Sequence, residues 1–248
     1  MAKEHKVNKA DSGGNKVVYF ILRIIKFLVF RFILSTRCIR FFLLKIKSSN
    51  NILIRKVQGS KMYLNLKDKG ISKDLALDGI REPESTKMVK KIIKEGDTVV
   101  DIGANIGYYV LMESQLVGEK GKVYAIEPVP DNVNVLKNNI KLNNYANVKV
   151  FQMAIGNMDT TKKMHISSLS NWHSFINHKR GIIKAIDVKV VPLDKFLKDK
   201  EYPDFIRMDV EGYEYQILKG MKTILGKRKP LKLFIELHPH LMNKNQTI

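Results

Sequence analysis

Cysteine and recognisable metal-binding motifs are scarce in this chain of 248 residues. Its one cysteine, Cys38, excludes an intramolecular disulfide and fits a reducing compartment. The six histidines have no C-x-x-C or H-E-x-x-H context, so their spacing predicts no metal site. No internal repeat is visible, which argues against solenoid and propeller architectures. A hydrophobic fraction of 44% instead indicates a globular protein with a sizeable core.

Acidic residues are also few, with 24 against 44 basic residues and a formal net charge of +20. The excess is uneven, because residues 1–50 hold eleven basic and two acidic residues, whereas residues 101–150 hold five of each. An enzyme that acts on nucleic acid more often carries its basic residues around the active cleft. We therefore assign the excess charge to the N-terminal segment and expect no nucleic acid partner.

Residues 17–47 are rich in Phe, Ile, Leu and Val but contain no apolar run long enough to cross a membrane. Arg23, Lys26 and Arg31 would each cost about 2.5–3.5 kcal/mol near a bilayer centre, which offsets the gain from the apolar residues. No A-x-A-like site follows, so the segment is not a signal peptide. On a helix its basic residues fall on an arc of roughly 200°. We predict a basic amphipathic helix over residues 16–47 that lies on an anionic membrane surface.

A helix packed on the core with a solvated basic face is the alternative for residues 16–47. The polar residues 1–15 are predicted to be disordered. On the membrane-surface interpretation, the protein is cytoplasmic and peripherally associated with a membrane.

The rest of the chain alternates between strand and helix patterns. Residues 48–96 contain two short strand patterns, NILIRKV and KMYLNLKD, followed by a helical pattern, ESTKMVKKIIKEG. Residues 97–248 then read strand (TVVDIG), helix, strand (KVYAIEP), helix, strand (NVKVFQMAIG), a two-stranded excursion, strand (DFIRMDV), helix (211–225) and strand (KLFIELH). This alternation predicts an α/β fold with a doubly wound, mainly parallel sheet.

A glycine loop, Asp101-Ile-Gly103-Ala-Asn105-Ile-Gly107, lies between the first strand and helix of residues 97–248. It departs from the G-x-G-x-x-G dinucleotide fingerprint. Glu127 follows Gly107 by twenty residues and can accept ribose hydroxyls in either a dinucleotide or an S-adenosylmethionine (SAM) site. Asp101 would repel a pyrophosphate but can accept the ammonium of SAM. The loop therefore favours SAM over NAD.

Five segments together resemble the FkbM family of SAM-dependent methyltransferases. They are EGDTVVDIGANIGYY, YAIEPVPDNVNVLKNNIKLNN, AIGN, PDFIRMDVEGYEYQILKG and FIELHPH, and the resemblance spans about residues 60–240. It implies a class I methyltransferase fold, which is Rossmann-like, and methyl transfer to a hydroxyl oxygen, often on a sugar or a secondary metabolite. By the same resemblance Asp101, Gly103, Asn105 and Gly107 line the methionine end of SAM, Glu127 holds the ribose, and Asn132, Ala154 and Ile155 border the adenine.

Three residues are candidates for the base that removes the acceptor proton: Asp209, Glu211 and His238. The resemblance places Asp209 and Glu211 of MDVEG at the carboxyl end of a central strand. Asp209 is the first choice, and its alternative role is to bind SAM or cap the next helix. A structural surface histidine is the alternative for His238. In the polar stretch between the excursion strands, Trp172 and His173 either cover the acceptor or belong to an exposed loop.

These observations predict a membrane-associated SAM-dependent O-methyltransferase whose acceptor is a hydroxyl-bearing glycan, glycolipid or small molecule. An RNA methyltransferase, suggested by the charge of +20, is one alternative. It is disfavoured because the chain lacks an N-P-P-[YF]-type motif. The other alternative is a non-catalytic membrane-associated SAM-binding protein. It is suggested by a sequence that stops some ten residues after FIELH, so we expect either a truncated chain or a minimal sheet edge.

Overall fold

The computed structural model describes residues 13–48, 50–68, 70–176, 181–227 and 229–241, and it divides into two units at Lys47. The first unit contains one helix, α1 (Gly13–Lys47), in which the side chains from Val18 to Phe32 are exposed. No helix in the described part of the chain has a stretch long and apolar enough to cross a membrane. Most of the N-terminus predicted to be disordered lies outside the described residues, but residues 13–15 already belong to α1.

The second unit, from Ser48 onward, contains the remaining helices and strands. In chain order they are β1 (Ile52–Val57), β2 (Ser60–Asn65), α2 (Ile71–Asp78), α3 (Pro83–Ile92), β3 (Thr98–Ile102), α4 (Tyr108–Val117), β4 (Lys122–Ile126), α5 (Pro130–Leu142), β5 (Val148–Phe151), β6 (Ala154–Gly156), β7 (Thr160–Ser167), β8 (Ile182–Pro192), α6 (Leu193–Phe196), β9 (Phe205–Met208), α7 (Glu214–Lys219), α8 (Lys222–Leu225) and β10 (Lys232–Ile235). A 3-10 turn at Pro239–Leu241 follows.

The central sheet has the strand order β5-β4-β3-β9-β10, and all its described pairings are parallel. The chain runs outward from β3 to β5 and then returns to place β9 on the other side of β3. The strand order therefore reverses between β3 and β9. In open α/β sheets a ligand binds outside the carboxyl ends of the strands at such a reversal. The predicted α/β, doubly wound and mainly parallel fold is confirmed.

The core lies around β3 and β9, and both strands are buried along their whole length. Their β-branched and apolar residues form the nearly continuous hydrophobic runs that parallel strands covered on both faces require. Two charged residues interrupt these runs, Asp101 on β3 and Arg207 on β9, and they are direct neighbours in the sheet register. Each therefore has an oppositely charged neighbour within the core.

Several elements differ from the sequence-based expectation. A helix, α2, forms in a segment where only strands were predicted, and it buries Ile71, Leu75 and Leu77. The predicted strand over 147–156 is two strands, and the second of these, β6, joins β8 and β7 in a three-stranded sheet instead of a two-stranded excursion. The predicted helix over 211–225 is divided into α7 and α8 at Gly220. A Cβ there would lie 1.9 Å from the carbonyl oxygen of Gly156, so the backbones pack too closely for any other residue.

Candidate active site

A cavity lies at the carboxyl ends of β3, β4 and β9, where the strand order reverses. It contains about 840 Å³ of empty space, a volume that includes open solvent at its mouth. Eight of the residues predicted to form the site line it: Gly103, Asn105, Glu127, Asn132, Ala154, Ile155, Asp209 and Glu211.

The glycine loop forms one wall of the cavity. Gly103 has a φ of +88°, and a Cβ on it would lie 2.0 Å from the carbonyl oxygen of Asp209, so only glycine fits. Asn105 also adopts the left-handed region, with a φ of 50°. Its side-chain amide donates to the carbonyl of Ser170 at 2.9 Å, and its side-chain oxygen accepts from the N–H of Ile106 at 2.7 Å. The bond to Ser170 ties the loop to the segment that follows β7, and the bond from Ile106 lies within the loop.

Glu127 lies beside this loop, just beyond the end of β4. One carboxylate oxygen accepts a hydrogen bond from the N–H of Asn105 at 2.8 Å, and the other accepts from the N–H of Val129 at 2.9 Å. Burial raises the pKa of this carboxyl to about 7. The side chain of Asn132 also donates to this carboxylate. Because its two oxygens have four lone pairs, one lone pair remains for a hydroxyl of a bound ribose.

Asp101 and Gly107, which were also predicted to contact the cofactor, do not line the cavity. Asp101 is fully buried below the loop, and its Oδ1 lies 3.1 Å from Nη1 of Arg207. Gly107 precedes α4 with a φ of +96°, and a Cβ on it would lie 2.6 Å from Leu136 Cδ1. The structure therefore gives Asp101 a charge partner within the core and gives Gly107 a tight contact with α5.

Arg207 is a site residue that the sequence reasoning did not select. Its side chain is 3% exposed, its Nη2 lies 3.2 Å from Oδ2 of Asp209, and its guanidinium lies 3.7 Å from the centre of the Tyr109 ring. Burial opposes its charge, but the carboxylates of Asp101 and Asp209 raise the pKa of Arg207, so it remains a cation. The signal was present in DFIRMDV, because a charged residue inside a buried strand requires a partner of opposite charge.

Arg81 and Glu82, which precede α3, were not selected either. Arg81 lines the cavity, and its guanidinium pairs with the Glu82 carboxylate. The other oxygen of Glu82 accepts from the hydroxyl of Tyr109 at 2.9 Å. Glu82 has a φ of 46° and Glu211 a φ of 52°, so two long carboxylate side chains near the cavity sit on a backbone that glycine prefers.

The three predicted bases lie close together: Asp209 and Glu211 line the cavity, whereas His238 is not among its lining residues. Nε2 of His238 lies 3.6 Å from Glu211 Oε2 and 4.0 Å from Asp209 Oδ1, and its Nδ1 lies 2.9 Å from Glu214 Oε1. The hydrogen bond to Glu214 raises the pKa of His238 to about 9. Burial, with the charges of Asp209 and Glu236, raises the pKa of Glu211 to about 7. Glu214 and Glu236 were not predicted, although Glu236 lies in the FIELH motif.

The segment between β7 and β8 covers part of the cavity. Ser170, His173 and Phe175 line it, whereas Trp172 is not among the lining residues. Nδ1 of His173 accepts the N–H of Ser167 at 3.1 Å, and burial lowers the pKa of this imidazole to about 4. His173 is therefore neutral at physiological pH and contributes a polar but uncharged wall.

A family model described as the methyltransferase FkbM domain matches residues 101–247, which is more than half of the chain. This chain belongs to the FkbM methyltransferase family. The resemblance seen in the sequence and the expectation of SAM as cofactor are thereby confirmed.

Individual relatives match over parts of their length. The hexuronic acid methyltransferase AglP of Haloferax volcanii is 26% identical over 176 residues, which cover 67% of this chain and 66% of that protein. A protein-L-isoaspartate O-methyltransferase of Methanococcoides burtonii is 41% identical over 58 residues, 23% of this chain and 29% of that protein. The chain thus spans less than two thirds of these relatives. A solved FkbM methyltransferase from Methylobacillus flagellatus KT is 20% identical with a TM-score of 0.41, covering 66% of this chain and 41% of that one.

Proposed function

We propose that this protein transfers the methyl group of SAM to a hydroxyl oxygen of a glycan, glycolipid or secondary metabolite. One observation carries the proposal: a single cavity contains Glu127 beside the glycine loop and the carboxylates of Asp209 and Glu211. Methyl transfer to oxygen requires SAM and the acceptor to be held in line, water to be excluded, and a group to take the acceptor proton. The residues proposed for the cofactor and for the proton acceptor line the same cavity.

Each part of the cavity has a role in this proposal. The glycine loop and Glu127 hold SAM, and Ala154 and Ile155 provide the apolar surface on which the adenine lies. Asp209, the first choice, or Glu211 accepts the single proton that the acceptor hydroxyl releases during transfer. The similarity to a hexuronic acid methyltransferase supports a sugar as the acceptor.

We place the reaction on the cytoplasmic surface of a membrane. The basic helix α1 supports this location, because its exposed Phe, Ile, Leu and Val side chains and its basic residues suit an anionic interface. An acceptor linked to a lipid would then be held close to the enzyme.

Calorimetric titration of the full chain with SAM, S-adenosylhomocysteine and NAD tests the cofactor. We expect micromolar SAM binding, no NAD binding, and about 10- to 100-fold weaker SAM binding by Glu127→Ala, because a hydrogen bond to a charged group is lost. Transfer of a labelled methyl group from SAM to oligosaccharides, compared with the same oligosaccharides after acetylation, tests the hydroxyl acceptor. SAM binding without transfer to any hydroxyl would favour the non-catalytic alternative, and NAD binding would contradict the proposal.

A further inference from the structure

Asp209, Glu211 and His238 bring three potential metal ligands together. One ligand atom from each residue lies within 4.8 Å of the other two. Asp209 and Glu211 follow β9, and His238 follows β10. Since parallel neighbouring strands end at the same edge of a sheet, residues distant in sequence meet there. This arrangement explains why no metal motif is visible in the sequence spacing.

The distances within the cluster match the space that a metal ion needs. Nε2 of His238 is 3.6 Å from Glu211 Oε2 and 4.0 Å from Asp209 Oδ1. Both separations exceed the length of an N–H···O hydrogen bond, about 2.7–3.2 Å. Two neighbouring ligands of an octahedral ion with bonds of about 2.2 Å lie about 3.1 Å apart. Small side-chain movements would therefore place an ion between these atoms.

The orientation of the imidazole is a second, independent observation. Nδ1 of His238 lies 2.9 Å from Oε1 of Glu214, and the N–H of Gly212 donates to the same oxygen at 3.1 Å. Glu214 is fully buried, so this carboxylate cannot move away into solvent. A metal-binding histidine typically donates its other ring N–H to a carboxylate in this way, which directs the remaining nitrogen toward the ion.

The charges around His238 also favour a cation. The nearby guanidinium groups of Arg207 and Arg81 already pair with carboxylates. Glu236 is a further possible ligand, since its Oε1 lies 3.9 Å from Nε2. Four carboxylates face His238, namely Asp209, Glu211, Glu214 and Glu236. Asp209 is already paired with Arg207, so a divalent cation that replaces the proton of the imidazole would offset the charge of Glu211, Glu214 and Glu236.

We propose that Asp209, Glu211 and His238 bind a divalent transition-metal ion, with Mn²⁺ as the test ion. Two carboxylate oxygens and one imidazole nitrogen suit such an ion, since oxygen ligands favour Mn²⁺ and imidazole favours transition metals. Asp209 and Glu211 line the cavity, so the ion has open positions toward an acceptor. There it would orient an acceptor hydroxyl and lower its pKa, and a carboxylate oxygen of Asp209 or Glu211 that does not bind the ion would accept the released proton. This role rests on the proposed methyl transfer, whereas binding of the ion does not.

Electron paramagnetic resonance of free Mn²⁺ tests the site in the full-length protein without SAM or acceptor. Addition of protein is expected to remove the signal of about one Mn²⁺ per chain. Glu211→Gln and His238→Gln are expected to weaken binding at least tenfold. Glu119→Gln is the matched control, because Glu119 is exposed in the turn after α4, and it is expected to bind as the unaltered protein does. Circular dichroism confirms that each variant is folded.

Two results would overturn the proposal. One is a free Mn²⁺ signal that the unaltered protein leaves unchanged at millimolar concentration. The other is binding that Glu211→Gln and His238→Gln both retain with unaltered affinity, since the ion would then lie elsewhere. If His238→Gln fails to fold, Glu211→Gln decides the question, because the side chain of Glu211 is partly exposed and differs from Gln by charge alone. Since the readout is binding, loss of methyl transfer for any other reason does not affect it.

Discussion

At the scale of single residues, we expect the ionisation of Glu127 to make the affinity for SAM depend on pH. Its pKa of about 7 means that the carboxyl is partly protonated in the free protein at neutral pH. Ribose hydroxyls donate to the ionised form, so SAM must bind to the deprotonated carboxylate. With this pKa, about one tenth of the carboxyl is ionised at pH 6 and about nine tenths at pH 8. We therefore expect the dissociation constant for SAM to be about tenfold larger at pH 6 than at pH 8.

Calorimetry at several pH values in two buffers measures both the affinity and the proton released on binding. Glu127→Gln should bind SAM more weakly, with an affinity that no longer varies between pH 6 and pH 8. An unaltered pH dependence in this variant would assign the titration to another group.

Asp101 is expected to be important for folding because it is the buried partner of Arg207. Asp101→Ala leaves this cation with Asp209 as its carboxylate partner, and removal of one member of a buried ion pair costs about 3–5 kcal/mol. Urea unfolding measures the loss. Asp187→Ala is the control, since the pair of Asp187 with Lys163 is exposed and is worth about 1 kcal/mol or less. Equal stability of Asp101→Ala and the unaltered protein would contradict the role of this pair.

A site residue can be predicted from sequence when a local pattern, such as the end of a buried strand, determines its position. Gly103, Asn105 and Glu127 could be selected because they follow buried strands, and parallel strands end at one edge. The position of Asp101 below the loop could not be predicted from sequence. It depends on the pairing of β3 with β9, whose register places Arg207 next to Asp101. The contact of Glu214 with His238 likewise joins two segments that no local pattern connects.

At the scale of elements, the loop between β3 and α4 depends on its close approach to the end of β9. A Cβ on Gly103 would meet a carbonyl oxygen at 2.0 Å, and backbone cannot rotate away as a side chain can. We expect Gly103→Ala to lower the free energy of unfolding by at least about 2 kcal/mol and to abolish SAM binding.

Gly96→Ala is the matched control for this prediction. Gly96 also has a positive φ, +86°, but an added Cβ there would have nothing within 4 Å. It should show the cost of the backbone conformation alone, about 1–2 kcal/mol, with SAM binding retained. If both variants lose stability equally, the contact with Asp209 is unimportant. Urea unfolding and calorimetry provide both measurements.

Helix α1 is expected to attach the full chain to anionic vesicles. Its basic residues would each contribute about 1 kcal/mol near an anionic surface, and higher salt would screen this attraction. Sedimentation with vesicles of phosphatidylglycerol and with neutral vesicles measures the preference. A chain lacking residues 1–47 should remain in the supernatant, and equal sedimentation of both chains would contradict the prediction.

The central strands and most helices could be predicted because their patterns are long and regular. Helix α2 could not, because ISKDLALD is short and lies between stretches that alternate like strands. The division of residues 211–225 into two helices could not be predicted either, since the helical periodicity continues across Gly220. The contact with Gly156 that ends α7 there is tertiary, so it is absent from any local pattern.

At the scale of the whole molecule, we expect the second unit to fold without residues 1–47. The buried apolar residues of the described chain lie between Val57 and Ile224. Removal of residues 1–47 should therefore shift the midpoint of thermal unfolding by less than about 3 °C, equivalent to about 1 kcal/mol for a unit of this size. Calorimetric scans of both chains measure the shift, and a decrease of 10 °C or more would show that α1 stabilises the core.

The left-handed backbone at Glu82 and Glu211 has a consequence for laboratory evolution. Each residue occupies a conformation that costs a side chain with a Cβ about 1–2 kcal/mol and that glycine adopts freely. A library selected for heat resistance alone would therefore enrich glycine at both positions and delete two carboxylates of the site. Selection for heat resistance would favour glycine at both positions, whereas selection for turnover would favour glutamate.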